Sequence, residues 1–177
     1  MTTMNRFFGY GSLVNTQTHA YPGTARMTVT GWRRVWRATP INHVAYLTGE
    51  PATGVRIDGL AADVPAGDWS ALDTRETGYL RSALPEGPQI YHIPHDLHGT
   101  PDDIRPILLS YLDVVVQGFL REFGEDGVAR FFDTTAGWTT PVRNDRAAPE
   151  YPRAQILSSD ETALVNDHLT RVGASLL

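Results

Sequence analysis

The change of hydrophobic period along the chain constrains its fold most. From residue 5 to residue 93, β-branched and aromatic residues gather in short runs, and from residue 104 apolar side chains recur every third or fourth position. Strands followed by helices argue for an α+β architecture, because a doubly wound parallel sheet needs the two to alternate. Residues 5–10, 27–37, 43–48, 55–64, 79–84 and 89–93 read as strands. Gly49-Glu50-Pro51-Ala52-Thr53-Gly54 reads as a hairpin-like turn that makes 43–48 and 55–64 antiparallel neighbours.

Between the strands, Trp69, Leu72, Asp73 and Glu76 fall at helical spacing behind Asp68, a candidate N-cap, with Gly78 as a left-handed stop. Past Thr100-Pro101-Asp102-Asp103, the residues Ile104, Leu108, Tyr111, Leu112, Val115, Phe119 and Leu120 predict a helix ending at Gly124. A short helix over 125–133 follows, then an irregular stretch over 144–153. Ser158 and Glu161 form a capping-box signature opening a terminal helix through Val172.

At 177 residues the chain predicts one domain, 1–177, burying roughly 70% of its unfolded surface. A formal charge of -5 disfavours nucleic acid as a partner, since phosphate binding needs clustered cations. The absence of cysteine removes disulfides, thiolate nucleophiles and sulfur-ligated metals. No apolar run approaches the roughly 20 residues of a membrane span, and Met1 to Arg6 shows no export signal, so a cytoplasmic protein with no membrane partner is expected. Oligomeric state is not legible.

Two segments carry candidate chemistry. In Phe7-Phe8-Gly9-Tyr10-Gly11-Ser12-Leu13 a strand runs into glycines that let backbone amides approach a ligand. A dinucleotide fingerprint would need a third glycine where Val14 stands, and a nucleophile elbow would need glycines two residues either side of Ser12. Two readings stay open: an array of donors at Gly11, Ser12 and Leu13 for an anionic oxygen, or a β-turn whose glycines only relieve steric strain. In Leu72-Asp73-Thr74-Arg75-Glu76-Thr77-Gly78-Tyr79, Glu76 is either a solvated helix-end carboxylate or, once desolvated, a base near neutral pH.

Taken in order, Gly9-Tyr10-Gly11-Ser12-Leu13, Val29-Thr30-Gly31-Trp32-Arg33-Arg34 and Leu72 to Tyr79 resemble landmarks of the γ-glutamylcyclotransferase-like superfamily, nearest its glutathione-specific ChaC-type branch. The resemblance covers roughly residues 6–95. Where that branch usually has His-Arg-Gly, this chain has Asn42-His43-Val44. The resemblance implies a mixed β-barrel or sheet with flanking helices. It implies an enzyme whose γ-glutamyl substrate cyclises to 5-oxoproline, expelling an amine, without cofactor or metal. Glu76 is then the catalytic acid-base, and Tyr10, Gly11, Ser12, Leu13 and Tyr79 bind substrate. Glutathione, γ-glutamyl amino acids, γ-glutamyl amines and carrier-bound γ-glutamyl groups are all admitted. A non-catalytic module binding a γ-glutamyl or carboxylate ligand, and a γ-glutamyl hydrolase, are the alternatives.

Two further groups stand out. His92, His95 and His98 recur every third residue beside Asp96, but in a strand-to-loop segment they point apart, so a metal site is not expected. Arg143, Asp145, Arg146, Tyr151 and Arg153 read either as a packed tail or as a lid and carboxylate clamp over the site.

Overall fold

A computed structural model describes residues 5–100 and 104–177. The readings made of Met1 to Met4 and of Pro101 to Asp103 lie outside the described residues. Five strands come first: β1 (Arg6–Gly9), β2 (Ala25–Arg37), β3 (Tyr46–Asp63), then helix α1 (Ser70–Arg75), β4 (Leu80–Ala83) and β5 (Gln89–His92). The second half holds β6 (Ile107–Leu108), α2 (Leu109–Asp133), β7 (Thr135–Ala136), β8 (Val142–Arg143) and α3 (Ser159–Arg171). One six-stranded mixed sheet runs β4-β5-β1-β3-β2-β7, with β6 and β8 forming a separate parallel pair. Helices lie against this sheet, as the α+β reading expects.

The turn expected at 49–54 is not a turn. β2 and β3 are one long hairpin, in which Val29 faces Ile57 and Val35 faces Thr48, so both halves of β3 pair with β2 and not with each other. The register jumps between Thr30 and Trp32, where Gly31 (φ +86°) and Gly54 (φ +80°) take left-handed backbone that a β-carbon would disfavour. Pro51 sits beside this irregularity, where a missing N–H costs less than in a regular ladder. Glycine and proline thus mark a bulge here, where the sequence alone suggests a reversal. Residues 43–45, expected in a strand, lie outside β3.

Successive side chains of β1 enter different clusters. Phe8 joins Leu60, Ile90, Leu112, Val116 and Phe119 under α2, whereas Phe7 joins Leu13, Ala62, Leu72 and Tyr91 beneath α1. Each phenylalanine is at most 1% exposed, and such burial contributes roughly 1.5–3 kcal/mol per side chain. β1 is therefore the partition between two cores, and the chain leaving its end is held from both sides.

α2 is buried over most of its first four turns: Leu112, Val114, Val115, Val116 and Phe119 are all covered, as are Asp113 and Gln117. A single apolar stripe does not describe it. Its start also differs from the expectation, because Ile107–Leu108 pair with Val142–Arg143 as a strand and Ile104 lies exposed ahead of it. The expected break at Gly124 is present (φ 69°, ψ -173°). Asp68 lies one residue ahead of the α1 N-cap, its Oδ1 accepting the Ser70 amide at 3.0 Å. The Ser158–Glu161 capping box is formed in full.

Candidate active site

The chain leaving β1 turns into a short 3-10 segment at Ser12–Val14, and α2 packs over it. Asn15 fixes this crossing: its Nδ2 donates to the Val114 carbonyl at 2.9 Å and to Gln117 Oε1 at 3.0 Å. From β2, the Arg34 guanidinium is wholly buried, donating to the Tyr10 carbonyl at 2.7 Å, to Thr134 Oγ1 at 2.9 Å and to the Asp58 carbonyl. It lies over the rings of Phe119 and Phe131, and burial pulls its pKa down to about 9. The Tyr10 hydroxyl donates to the Tyr91 carbonyl at 2.5 Å and accepts the Gly49 amide at 3.0 Å. Tyr10 thus ties β5 and β3 to the loop, and its hydroxyl is already engaged on both sides.

Gly11 is glycine for lack of room: a β-carbon there would stand 2.8 Å from the Tyr111 hydroxyl and 3.2 Å from Leu47 Cδ2. The Ser12 amide donates toward that same hydroxyl, whose pKa burial raises.

Glu76 is the C-cap residue of α1, and Gly78 (φ +95°) turns the chain from there into β4. Its side chain is 15% exposed, with Arg75 Nε 3.6 Å from Oε1. Among the described residues none donates a hydrogen bond to the Glu76 carboxylate. Desolvation raises its pKa, and the charges of Arg75 and Arg153 oppose that rise without cancelling it. The Arg75 guanidinium is held by the Thr18 carbonyl (2.9 Å), Thr18 Oγ1 (2.9 Å) and Ser12 Oγ (3.3 Å), which links Glu76 to the loop.

A chamber of about 360 Å³ opens beside Glu76, within the roughly 300–1,000 Å³ typical of small-molecule sites. Ser12, Leu47, Arg75, Glu76, Tyr79 and Tyr111 form its inner wall, and residues 42–46, Leu108 and 150–153 its outer wall. Behind it lies an alcove of about 30 Å³, bounded by Phe8 to Leu13, Leu47, Glu76, Tyr79, Tyr91 and Tyr111. Ser12, Leu47, Glu76, Tyr79 and Tyr111 border both. Every candidate site residue read from the sequence, Tyr10, Gly11, Ser12, Leu13, Glu76 and Tyr79, borders at least one of these spaces. The Tyr79 hydroxyl donates to the Leu47 carbonyl at 2.8 Å, and the ring stands edge-on to Tyr46.

Three solved structures share this arrangement of elements. One described as a gamma-glutamyl cyclotransferase superposes with a TM-score of 0.54 at 12% identity, covering 92% of this chain and 98% of that one. The uncharacterized protein loc79017 from Homo sapiens gives 0.52 at 14% identity over the same shares. YkqA from Bacillus subtilis gives 0.56 at 13% identity, covering 75% of this chain and 56% of that one. The chain has the γ-glutamylcyclotransferase-like fold. No family model matches the sequence, and no curated protein does.

Within this γ-glutamylcyclotransferase-like fold, sequence reasoning missed Tyr111, whose hydroxyl stands over Gly11, because its helical spacing marks it as one more core residue. It also missed Asn42 to Tyr46, which carry no motif; the segment that departs from the ChaC-type pattern is part of the chamber's outer wall. The 143–153 segment divides. Arg143 pairs with Glu150 at 2.8 Å and Arg146 grips Asp113 through two bonds of 2.8 and 2.7 Å, whereas Glu150, Tyr151, Pro152 and Arg153 face the chamber. His92 bonds Ser82 at 2.8 Å, and the His98 ring meets the Ile93 carbonyl at 3.1 Å and stands edge-on to His95. Among the described residues no group of three His, Cys, Asp or Glu side chains could hold a metal ion. No described helix is long and apolar enough to cross a membrane.

Proposed function

We propose that the protein is a γ-glutamylcyclotransferase that releases 5-oxoproline from a small γ-glutamyl compound. The observation that carries this reading is the Glu76 carboxylate: desolvated, without a hydrogen-bond donor, and set on the border between a glycine-loop alcove and a ligand-sized chamber. A carboxylate so placed has a raised proton affinity and nothing occupying its lone pairs, which suits proton transfer near neutral pH. The solved gamma-glutamyl cyclotransferase of the same fold supports this reading.

In this mechanism Glu76 takes a proton from the substrate α-ammonium. The amine nitrogen then attacks the γ-carbonyl carbon of the same molecule, closing a five-membered lactam through a tetrahedral oxyanion. The amides of Gly11 and Leu13 stabilise that oxyanion or hold the α-carboxylate, the Ser12 amide being engaged by the Tyr111 hydroxyl. As the intermediate collapses, the C–N bond to the leaving group breaks, Glu76 returns its proton to the departing nitrogen, and the ring nitrogen sheds its second proton to solvent to leave the neutral lactam. Because attack is intramolecular, holding the substrate folded supplies up to about 7–11 kcal/mol of the barrier reduction. The engaged Tyr10 hydroxyl makes Tyr10 an anchor for the loop, and its ring lines the alcove together with Tyr79.

The test is a panel of γ-glutamyl compounds, glutathione included, incubated with wild-type protein and with Glu76→Gln and analysed by mass spectrometry. The wild type is expected to yield 5-oxoproline, and the variant to lose about 10²–10⁴-fold in kcat while remaining folded. Free glutamate as the product would establish a hydrolase instead, and an active, folded Gln variant would remove Glu76 from the chemistry.

A further inference from the structure

Four charged side chains line the chamber beyond His43, and their surroundings differ. Arg75 is spent on Thr18 and Ser12, and Glu150 is neutralised by Arg143 with His43 Nε2 3.6 Å away. Glu76 has Arg75 beside it. Arg153 is half-buried and its charge is felt by Glu76 and Tyr21, yet among the described residues its guanidinium makes no hydrogen bond and no close ion pair. Its donors are therefore open to a ligand, and their planar fork matches a carboxylate better than any other small anion-bearing group of metabolites except phosphate.

The position of Arg153 selects between the carboxylates a γ-glutamyl compound can offer. The loop and Arg75 lie on the inner wall, where the glutamyl head must sit to bring its α-amine to Glu76. Arg153 belongs to the outer wall, which does not border the alcove. With the glutamyl head placed so, whatever is attached to the γ-carbonyl is directed to the outer wall.

We propose that Arg153 is the specificity-determining residue for a carboxylate on the leaving group, so that the preferred substrates are γ-glutamyl amino acids or short γ-glutamyl peptides and not γ-glutamyl amines. This rests on the γ-glutamyl reading of the inner site. Arg143 and Arg146, nearby in sequence, have no such role, because Glu150 and Asp113 occupy them.

Two substrates separate the possibilities: γ-glutamylglycine, whose leaving group carries a carboxylate, and γ-glutamylmethylamide, whose leaving group has none. For γ-glutamylglycine, Arg153→Ala is expected to raise KM about tenfold or more, and Arg153→Lys, which keeps the charge that Glu76 feels, to recover part of the loss. For the methylamide neither variant should move KM. Equal losses on both substrates would reassign Arg153 to the α-carboxylate or to folding and overturn the proposal, as would no change on either. Calorimetric titration of both compounds in a Glu76→Gln background, with Arg, Ala or Lys at position 153, reads the subsite without turnover. A loss of affinity confined to γ-glutamylglycine upholds Arg153 even if no 5-oxoproline is formed, a result that would sink only the cyclotransferase reading. Failure of γ-glutamylglycine to bind protein that retains Arg153 would sink the subsite as well.

Discussion

The inner and outer walls of the chamber are built by different rules. The inner wall is tied into both cores: Tyr10 bridges two strands through its hydroxyl, Arg34 holds its carbonyl from beneath, Asn15 anchors the loop to α2, and Arg75 links the loop to Glu76. The outer wall is tied at its ends: Asn42 to the Tyr46 hydroxyl at 2.9 Å, the Ala45 amide to the Pro106 carbonyl at 2.8 Å, the Glu150 and Tyr151 amides to Asp145 Oδ2 at 2.9 Å and Ser110 Oγ at 3.3 Å, the partly exposed Glu150 ion pairs, and the edge-on contact of Tyr151 with Tyr111. Geometry that chemistry depends on is thus stored where unfolding would be needed to disturb it. In the proposed reaction, selectivity for the leaving group falls to the loops of the outer wall.

The sharpest way to break this comparison is Glu76→Gln, because the inner wall predicts opposite signs for turnover and stability. Turnover should collapse. Stability at neutral pH should rise, since a carboxyl whose folded-state pKa lies above its unfolded value binds more protons folded than unfolded, and that advantage is lost as pH climbs through the folded pKa. Thermal unfolding of wild type should therefore show a Tm contribution that falls with rising pH between the ordinary glutamate pKa and the raised one, absent in the variant. The charges facing Glu76 here are Arg75 and Arg153, with the buried hydroxyls of Tyr10, Tyr79 and Tyr111 around it. A Gln variant that melts earlier than wild type at neutral pH would mean that Glu76 is a structural ion-pair partner of Arg75.

Arg34→Met comes next in size. It leaves the carbonyls of Tyr10 and Asp58 and the Thr134 hydroxyl without their buried donor, a loss of roughly 2–4 kcal/mol, or about 4–16 °C in Tm for a chain of this length. Denaturant unfolding followed by tryptophan fluorescence would measure it. Unchanged stability would show that the loop is held without Arg34, and the inner wall would lose its distinction from the outer.

How far the sequence discloses these two walls follows from the same difference. The inner wall is legible because it is made of local, ordered motifs: a strand end with glycines, and a short helix closing on Glu76 before Gly78. The α+β order and the Ser158–Glu161 cap are legible for the same reason, being set by neighbours within a few residues. What is hidden is long-range. Gly54 and Pro51 look the same in a bulge as in a turn until their partner strand is known, so the single long β2–β3 hairpin could not be told from three shorter strands. Tyr111 has helical spacing and nothing more, and only the 99-residue reach from Asn15 to Val114 shows that α2 packs on the glycine loop. The outer wall joins residues 42–46 to 150–153, two segments that share no motif and meet only in the folded chain.

The smallest effect expected belongs to Glu150, and it sharpens the comparison from the other side. Its partners Arg143 and His43 are partly exposed, and ion pairs of that kind contribute about 0–1 kcal/mol. Glu150→Gln should therefore leave Tm within a few degrees of wild type. It also takes a negative charge from the wall that holds Arg153, so a leaving-group carboxylate should bind slightly better, with KM for γ-glutamylglycine falling about twofold and KM for γ-glutamylmethylamide unchanged. A loss of stability approaching that of Arg34→Met would place Glu150 among the supports of the fold, and the outer wall would then be as deeply built as the inner one. A rise in KM would mean that Glu150 itself touches the substrate, through a donor on the leaving group and not a carboxylate.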